Sequence, residues 1–306
     1  MHVADHLQKN IDRTGSIACV GLDPRPALLP KSMIAAVLTE ELGSREAVAE
    51  AFLRFNRGLL KAIAGACAAV KPQSACYEAY GWQGVKALEE SIKYAHELGI
   101  PVILDGKRND IGSTAQHYAE GIFGGSPDLS GKPLSSTQTQ WATVNVFLGA
   151  DGVTPFLGSP GERGIFALVH TSNPSSSELQ DRTFADSSTV SDVVAQLVHR
   201  WGSNRQGSSG LSDVGAVVGA TFPDQAKRLR EVMPDSIFLV PGYGAQGGSA
   251  KDALAGLRPD GRGVIVNSSR AIIQAWKDAK TEDFAAAART ALDQMNRDLN
   301  TARGKL

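Results

Sequence analysis

The sequence is poor in the features that mark secreted, membrane-spanning or nucleic-acid-binding proteins. It has 3 cysteines among 306 residues. Their odd number and the lack of C-x-x-C spacing indicate free thiols in a reducing cytoplasm. No apolar run approaches the roughly 20 residues that cross a bilayer. The formal net charge is −1, which argues against binding to nucleic acid or to an acidic membrane surface.

Two further absences concern metal binding and export. The histidines do not show the His-Glu-x-x-His spacing of a zinc site, so we predict no metal site. Residues 1–14 are polar and mixed in charge, unlike a secretory signal. With 306 residues, 42% of them hydrophobic, the chain is long enough and apolar enough to bury one large core. We therefore expect a cytoplasmic protein in which residues 1–306 form a single domain.

Short apolar runs alternate with segments of helical periodicity along the chain. We predict strands at 16–22, 68–70, 101–104, 141–147, 164–169, 215–219, 237–240 and 263–266. We predict helices at 46–69, 83–98, from about 114, and at 190–201, 224–233, 249–257 and 282–299. Alternating strands and helices indicate parallel β-α units. Eight strands favour a closed α/β TIM (β/α)8 barrel, and polar stretches at 123–140 and 175–188 are interpreted as insertions. No G-x-G-x-x-G follows the first strand, which disfavours a dinucleotide-binding sheet.

Polar, charged or glycine-rich groups follow every predicted strand. In a TIM barrel the active site lies at the carboxyl ends of the strands. The groups found there are Asp23, Lys71, Asp105 with Lys107, Asn145, 171–173, Thr221, 242–248 and 267–270. Stability alone does not require this pattern, so it predicts an active site at that end of the barrel.

The most informative stretch is 102–114, an apolar strand that runs into charged residues. Asp105 and Lys107 are two residues apart, so on a strand their side chains share a face. Ser113 or Thr114 is placed to cap the helix that follows. The ordinary alternative for this segment is a structural ion pair followed by a capping residue.

With Lys71 and Asp110, this pair becomes an alternating set of two ammonium groups and two carboxylates. Each charge in such a set is flanked by opposite ones, which keeps all four groups ionised. Lys107 is then a candidate acid for a developing carbanion, and Asp105 a candidate fixed anion beside a leaving carboxylate.

The loops after the seventh and eighth strands are the common phosphate site of these barrels. The glycines at 244–248 leave room for backbone N–H groups to approach an anion. Gln246 adds a side-chain donor, and the planar guanidinium of Arg270 suits phosphate oxygens. Asp23 is either a turn residue or a ligand for a sugar hydroxyl. Residues 172–173 either cap the next turn or contact an amide of a ligand.

These motifs resemble the orotidine 5'-monophosphate decarboxylase family, in its longer bacterial branch. Residues 105–114 fit the family's D-x-K-x-x-D-I-x-x-T pattern. Val-Lys-Pro-Gln at 70–73, Thr-Val-Asn at 143–145, Thr-Ser-Asn-Pro at 171–174 and Pro-Gly-x-Gly-Ala-Gln-Gly-Gly at 241–248 are similar to the branch's other signatures. The resemblance implies cofactor-free decarboxylation of orotidine 5'-monophosphate to UMP and CO2, the last step of de novo pyrimidine synthesis.

The resemblance also implies roles for individual residues. In the catalytic set Lys107 protonates C6, Asp105 lies against the departing carboxylate, and Lys71 and Asp110 complete the charge network. Asp110 and Thr114 reach the site from the partner subunit of a homodimer. The implied substrate-binding residues are Asp23 and Lys71 for the ribose, Ser172 for the base, Gln246 and Arg270 for the phosphate, with Asn173, Pro241 and Gly244 also in contact with the ligand.

Three other interpretations remain open at this point. A phosphosugar decarboxylase or aldolase on the same barrel would use Asp105 to hold Mg²⁺. A Schiff-base aldolase would use Lys71 or Lys107 as its nucleophile. A non-catalytic nucleotide-binding barrel would need only the phosphate loops, and the four charged residues argue against it.

Overall fold

The computed structural model describes residues 1–134, 139–244 and 247–304. Within them, eight parallel strands form one sheet: β1 Ala18–Leu22, β2 Ala69–Pro72, β3 Ile103–Arg108, β4 Trp141–Val144, β5 Gly164–His170, β6 Val214–Val218, β7 Phe238–Val240 and β8 Val264–Ser268. The hydrogen-bonded order is β2-β1-β8-β7-β6-β5-β4-β3. Single bridges from Val70 to Val102 and from Gln73 to Asp105 join β2 to β3. The sheet is therefore closed, and the predicted TIM barrel is confirmed.

Helices cover the outside of the barrel. In the described part of the chain they are α1 Val3–Thr14, α2 Lys31–Leu38, α3 Ser44–Ile63, α4 Ser74–Glu78, α5 Gly81–Glu97, α6 Gly112–Phe123, α7 Thr154–Leu157, α8 Val190–Gly202, α9 Pro223–Val232, α10 Ala250–Ala253, α11 Arg270–Ile273, α12 Ala275–Asp278 and α13 Phe284–Arg303. Short 3₁₀ helices occupy Pro26–Leu28, Gly149–Gly152 and Pro174–Glu178. Among the helices described, none is long and apolar enough to cross a membrane.

Several predicted boundaries were wrong for identifiable reasons. The helix predicted at 46–69 ends at Ile63, because Gly65 adopts a left-handed φ of 73° and the chain then turns into β2. β4 ends at Val144, three residues before its predicted end at residue 147. The predicted cap at Ser113 or Thr114 is also wrong, because α6 begins at Gly112 and contains both residues.

Helix α1, which was not predicted, closes the amino end of the barrel. The Val3 N–H donates to the carbonyl oxygen of Gly161 at 2.9 Å. The Asp5 carboxylate accepts from the N–H groups of Ser208 and Ser209. These partners lie in the loops that precede β5 and β6, so α1 covers the end opposite the predicted site. The carboxyl ends of the strands are left as the open face of the barrel.

Candidate active site

Two adjoining cavities lie at the carboxyl ends of the strands. The first, called the β3 cavity here, has a volume of about 350 Å³ and is lined by Lys71, Asp105, Lys107, Thr143, Leu168, Thr171, Ser172, Asn173, Gln180, Val217, Leu239, Pro241 and Asn267. The second, the β8 cavity, has about 410 Å³ and is lined by Asp23, Arg25, Leu28, Pro241, Gly242, Tyr243, Asn267, Ser268, Ser269, Arg270, Ile273 and Gln274. Pro241 and Asn267 line both cavities, so one elongated ligand can extend from one into the other.

Three charged side chains meet in the β3 cavity. The Asp105 carboxylate accepts from Lys71 Nζ at 2.5 Å through Oδ2 and from Lys107 Nζ at 2.6 Å through Oδ1. The side chains of Lys71 and Asp105 are each only 7% exposed, whereas that of Lys107 is 45% exposed. Two of the three charges are thus fixed inside the barrel, and the Lys107 ammonium is accessible from the cavity.

The pKa values of the buried pair keep it ionised. Burial raises the pKa of Asp105, but the ammonium groups of Lys71 and Lys107 outweigh this effect and hold that pKa well below its usual range. Burial lowers the pKa of Lys71, but attraction to Asp105 and Asp23 and the hydrogen bond to Asp105 raise it above its ordinary value. The attraction between Lys71 and Asp105 therefore stabilises the charged forms of both.

A bulge in β3 places these groups. The register passes from Leu104 opposite Ala142 to Arg108 opposite Val144, so residues 105–107 face Thr143 alone. Lys107 itself has a φ of 45°, in the left-handed region that side-chain-bearing residues seldom occupy. Asp105 and Lys107 point into the same cavity, as predicted, but the regular alternation of a strand is not the reason. They meet because the strand bulges and turns there.

Thr143 belongs to this site although it was not among the predicted site residues. Its Oγ1 donates to Asp105 Oδ1 at 2.9 Å and accepts from the Lys107 N–H at 3.0 Å. The available signal was the Thr-Val-Asn motif at 143–145, which by itself indicates only the family resemblance.

The polar segment 175–188 also builds the site. Gln180 accepts from the Thr171 N–H through Oε1 and donates to Thr171 Oγ1 through Nε2, both at 2.8 Å. Thr171 Oγ1 in turn donates to Asn173 Oδ1 at 2.6 Å. Next to Gln180, Asp181 accepts from Nε2 of the buried His170 at 3.0 Å. The segment interpreted as an insertion therefore holds the loop after β5 in place.

In the β8 cavity, carboxylate and amide oxygens have unused hydrogen-bonding capacity. Ser269 Oγ donates to Asp23 Oδ2 at 2.6 Å. Asp23 Oδ1 and Asn267 Oδ1 are buried and have no hydrogen-bond partner within the described residues. Buried polar oxygens without partners are uncommon and suit the hydroxyl groups of a ligand. Arg270 is exposed at the start of α11 and forms no ion pair with the described residues.

Some predicted site residues are not brought into either cavity. Asp110 lies in the β3–α6 turn and Thr114 in the first turn of α6, and both are outside the two linings. Within the described residues, Asp110 Oδ1 accepts a hydrogen bond from the N–H of Ile111. Gly244 is likewise outside both linings. Gln246 lies outside the described residues.

The glycine-rich loop differs from its predicted arrangement. The N–H groups of Gly244, Gly247 and Gly248 donate to carbonyl oxygens within the loop itself. In this arrangement these three N–H groups are occupied and do not face an anion. In the described part of the chain, no group of three or more His, Cys, Asp or Glu side chains is placed to hold a metal ion.

A closed (β/α)8 barrel with a buried charged cluster at its carboxyl end defines a barrel enzyme. A family model described as orotidine 5'-phosphate decarboxylase / HUMPS family matches residues 18–283, and the chain belongs to that family. Orotidine 5'-phosphate decarboxylase of Rhodopirellula baltica is 44% identical over 311 residues, which cover 98% of this chain and 99% of that protein. The enzyme of the same description from Haloarcula marismortui is 40% identical over 310 residues, covering 99% and 100%. The solved Leishmania donovani OMP decarboxylase has a TM-score of 0.76 and 30% identity, with 99% of both chains covered.

Proposed function

We propose that the protein decarboxylates orotidine 5'-monophosphate to UMP and CO2, the last step of de novo UMP synthesis. The observation that carries this proposal is the Lys71–Asp105–Lys107 cluster in the β3 cavity. The full-length similarity to proteins described as orotidine 5'-phosphate decarboxylase supports the same substrate. The resemblance drawn from the sequence motifs is confirmed at the level of the family.

The cluster suits a reaction in which a carboxylate leaves a ring carbon. The Asp105 carboxylate, fixed by Lys71, lies against the departing carboxylate, whose loss as neutral CO2 relieves their repulsion. The C6–carboxyl bond breaks and leaves its electron pair on C6. Lys107 Nζ, accessible from the cavity, gives a proton to C6 and stabilises the developing negative charge. Because these charges are in place beforehand, little reorganisation accompanies the reaction.

The two cavities divide the substrate between them. In the proposed pose the base occupies the β3 cavity, with Ser172 and Asn173 at its edge. The ribose lies near Asp23 and Lys71, where the unpartnered Asp23 Oδ1 accepts from a hydroxyl group. The phosphate lies in the β8 cavity beside Arg270. Pro241, Gly244 and Gln246 remain proposed contacts from the loop after β7.

The Thr171 backbone N–H determines which part of the Asn173 side-chain amide is free to bind a ligand. The Thr171 N–H can only donate, so Gln180 Oε1 accepts from it and Gln180 Nε2 donates to the Thr171 hydroxyl. That hydroxyl then donates to Asn173 Oδ1, which leaves the Asn173 amide hydrogens for the ligand. A donor at this position suits a carbonyl oxygen of the base.

A homodimer with shared sites is the proposed assembly. Asp110 and Thr114 line neither cavity of their own chain, so each would act in the site of the partner subunit. Exposed apolar side chains lie nearby, just before α6 and on the segment after β4, which leads into the 3₁₀ helix Gly149–Gly152 that contacts α6. They include Ile111, Phe147 and Leu148, which are 54%, 77% and 43% exposed. Exposed apolar groups of this kind mark an interaction surface.

A single domain and a cytoplasmic location are also proposed. One sheet and one large apolar core support the single domain. The three cysteines are free thiols, which accords with a reducing compartment.

The proposed reaction is tested by the loss of orotidine 5'-monophosphate, followed by its absorbance change, with and without EDTA. Turnover that resists EDTA is expected. Turnover that stops with EDTA and returns with Mg²⁺ would favour a metal-dependent mechanism, and trapping of a lysine adduct by borohydride would favour a Schiff-base aldolase. No turnover by the folded protein would overturn the proposal.

A further inference from the structure

We infer that Thr143 is a positioning residue, which sets the separation and direction of the Asp105 carboxylate and the Lys107 ammonium through two hydrogen bonds of its side-chain hydroxyl. This inference rests on the proposed function for its kinetic consequences. The geometry on which it stands is that of the β3–β4 pair alone.

The first observation is where the ladder between the two strands is interrupted. On β3, residues 105–107 lie between the pairs Leu104–Ala142 and Arg108–Val144, and on β4 only Thr143 does. The backbone ladder resumes where the Asn145 N–H donates to the Arg108 carbonyl oxygen at 2.9 Å. Inside the bulge the Lys107 N–H bonds a side chain, Thr143 Oγ1, in place of a backbone carbonyl. The hydroxyl therefore closes the bulge that carries the reacting ammonium.

The second observation is the direction of the two hydrogen bonds. A backbone N–H can only donate, so Thr143 Oγ1 accepts from Lys107. The single hydroxyl hydrogen then goes to Asp105 Oδ1, which also accepts from Lys107 Nζ. One hydroxyl thus contacts the main chain of the proposed proton donor and the side chain of its anionic partner.

The third observation is the rigidity of the arrangement. Thr143 is 1% exposed, so bulk water does not compete for either hydrogen bond. Threonine is branched at Cβ, which restricts χ1. Lys107 has a left-handed φ of 45°, and such backbone conformations persist only where surrounding contacts enforce them. The Thr143 hydroxyl is one of those contacts.

The test compares Thr143→Val, which keeps the shape and loses the hydroxyl, with Thr143→Ser, which keeps the hydroxyl. Thr139→Val is the matched control, since Thr139 is also buried, precedes the amino end of β4, and its hydroxyl donates to the Ile122 carbonyl oxygen. For Thr143→Val we expect kcat to fall roughly 10- to 100-fold, because small misplacements of reacting groups have effects of that order. UMP affinity should change by less than about 3-fold, since most ligand contacts are retained. Thr143→Ser should restore most of kcat, and Thr139→Val should keep it.

A second measurement, amide hydrogen exchange, tests the positioning role of Thr143 independently of turnover. Hydrogen exchange of the Lys107 amide should be at least about 10-fold faster in Thr143→Val than in the wild type or in Thr143→Ser, because the protecting bond is lost. Unchanged kcat or unchanged exchange in folded Thr143→Val would overturn the inference. The inference would also be overturned if Thr143→Val lost kcat and UMP affinity equally and Thr143→Ser did not restore them, since this result indicates a merely structural role. An inactive wild type would contradict the proposed function instead, and exchange would still decide the role of Thr143.

Discussion

Lys71 Nζ and Asp105 Oδ2 lie 2.5 Å apart in an ion pair whose side chains are each 7% exposed. The pair links the end of β2 to the bulge of β3. Breaking a buried pair by removing one partner leaves an uncompensated charge, which is strongly destabilising. The ion pair therefore positions the charged groups of the site, and the stability of the fold depends on both of its partners.

Replacement of Asp105 is expected to lower stability in a pH-dependent way. Asp105→Asn should reduce the free energy of unfolding at pH 7 by about 3–5 kcal/mol, because it leaves the Lys71 ammonium buried without its anion. The folded-state pKa of Asp105 lies below its ordinary value of 3.8. The wild type therefore has this stabilisation above pH 3.8 and loses it as the pH falls towards the folded-state pKa. The difference in the free energy of unfolding between the wild type and Asp105→Asn should therefore become smaller as the pH falls below 3.8.

Denaturant unfolding of both proteins between pH 2 and pH 7 measures this deficit. Asp278→Asn is the control, since Asp278 is exposed at the end of α12. A deficit below about 1 kcal/mol at pH 7, the range of exposed pairs, would contradict the buried-pair interpretation.

Arg270 is expected to discriminate between nucleotides and nucleosides. Arg270→Ala should weaken UMP binding by about 10-fold or more, because a guanidinium–phosphate pair contributes a charge-assisted bond. Uridine binding should barely change. Calorimetric titration of both ligands checks this, with Arg297→Ala on α13 as the control. If Arg270→Ala lost equal affinity for UMP and for uridine, Arg270 would not be a ligand of the phosphate.

Shared active sites are tested by mixing two inactive variants. Lys107→Ala and Asp110→Ala should each abolish turnover. If Asp110 acts in the partner's site, a heterodimer of the two variants contains one intact site and one doubly altered site. After exchange of subunits the mixture should recover up to about a quarter of wild-type activity, from the statistics of a two-fold dimer. Failure to recover activity, with heterodimers shown by native mass spectrometry, would place Asp110 outside the shared site.

Gln180 is expected to control the preference for the base. In Gln180→Glu the side chain becomes acceptor-only, so the Thr171 hydroxyl donates to the new carboxylate and no longer to Asn173. Asn173 then loses its fixed orientation, and the affinity ratio of UMP to CMP should fall several-fold, about 1 kcal/mol for one neutral hydrogen bond. Competitive inhibition by the two nucleotides gives this ratio. Gln225→Glu on α9 is the matched control, and an unchanged ratio in Gln180→Glu would contradict the assigned polarity.

The sequence was sufficient for the barrel and for most of the charged cluster. Alternating apolar strands and helices fix the order of parallel β-α units, and polar groups after each strand mark the carboxyl end. Lys71, Asp105 and Lys107 could be grouped because all three come directly after the apolar runs predicted as strands, and the structure places them in the last residues of β2 and β3. The strand-end rule does not require knowledge of any long-range contact.

The remaining parts depend on tertiary contacts that local patterns do not encode. The bulge of β3 depends on its register with β4, so neither the left-handed φ of Lys107 nor the bonds of Thr143 could be predicted from spacing. Gln180 was interpreted only as part of a polar insertion. Its hydrogen bonds to Thr171 join residues nine positions apart, and no local sequence pattern indicates them. Helix α1 was missed because its short apolar stripe gains stability only by packing under the barrel.

In the proposed mechanism Lys107 donates the proton while other groups hold the nucleotide, and the Lys107→Ala variant separates these two roles. Turnover of orotidine 5'-monophosphate and the Kd for UMP are measured on the same folded preparation. We expect a loss of kcat of at least about 1,000-fold, as for a group that acts in the transition state, with UMP affinity within about 10-fold of the wild type. Substantial residual turnover, or loss of UMP binding equal to the loss of kcat, would contradict it.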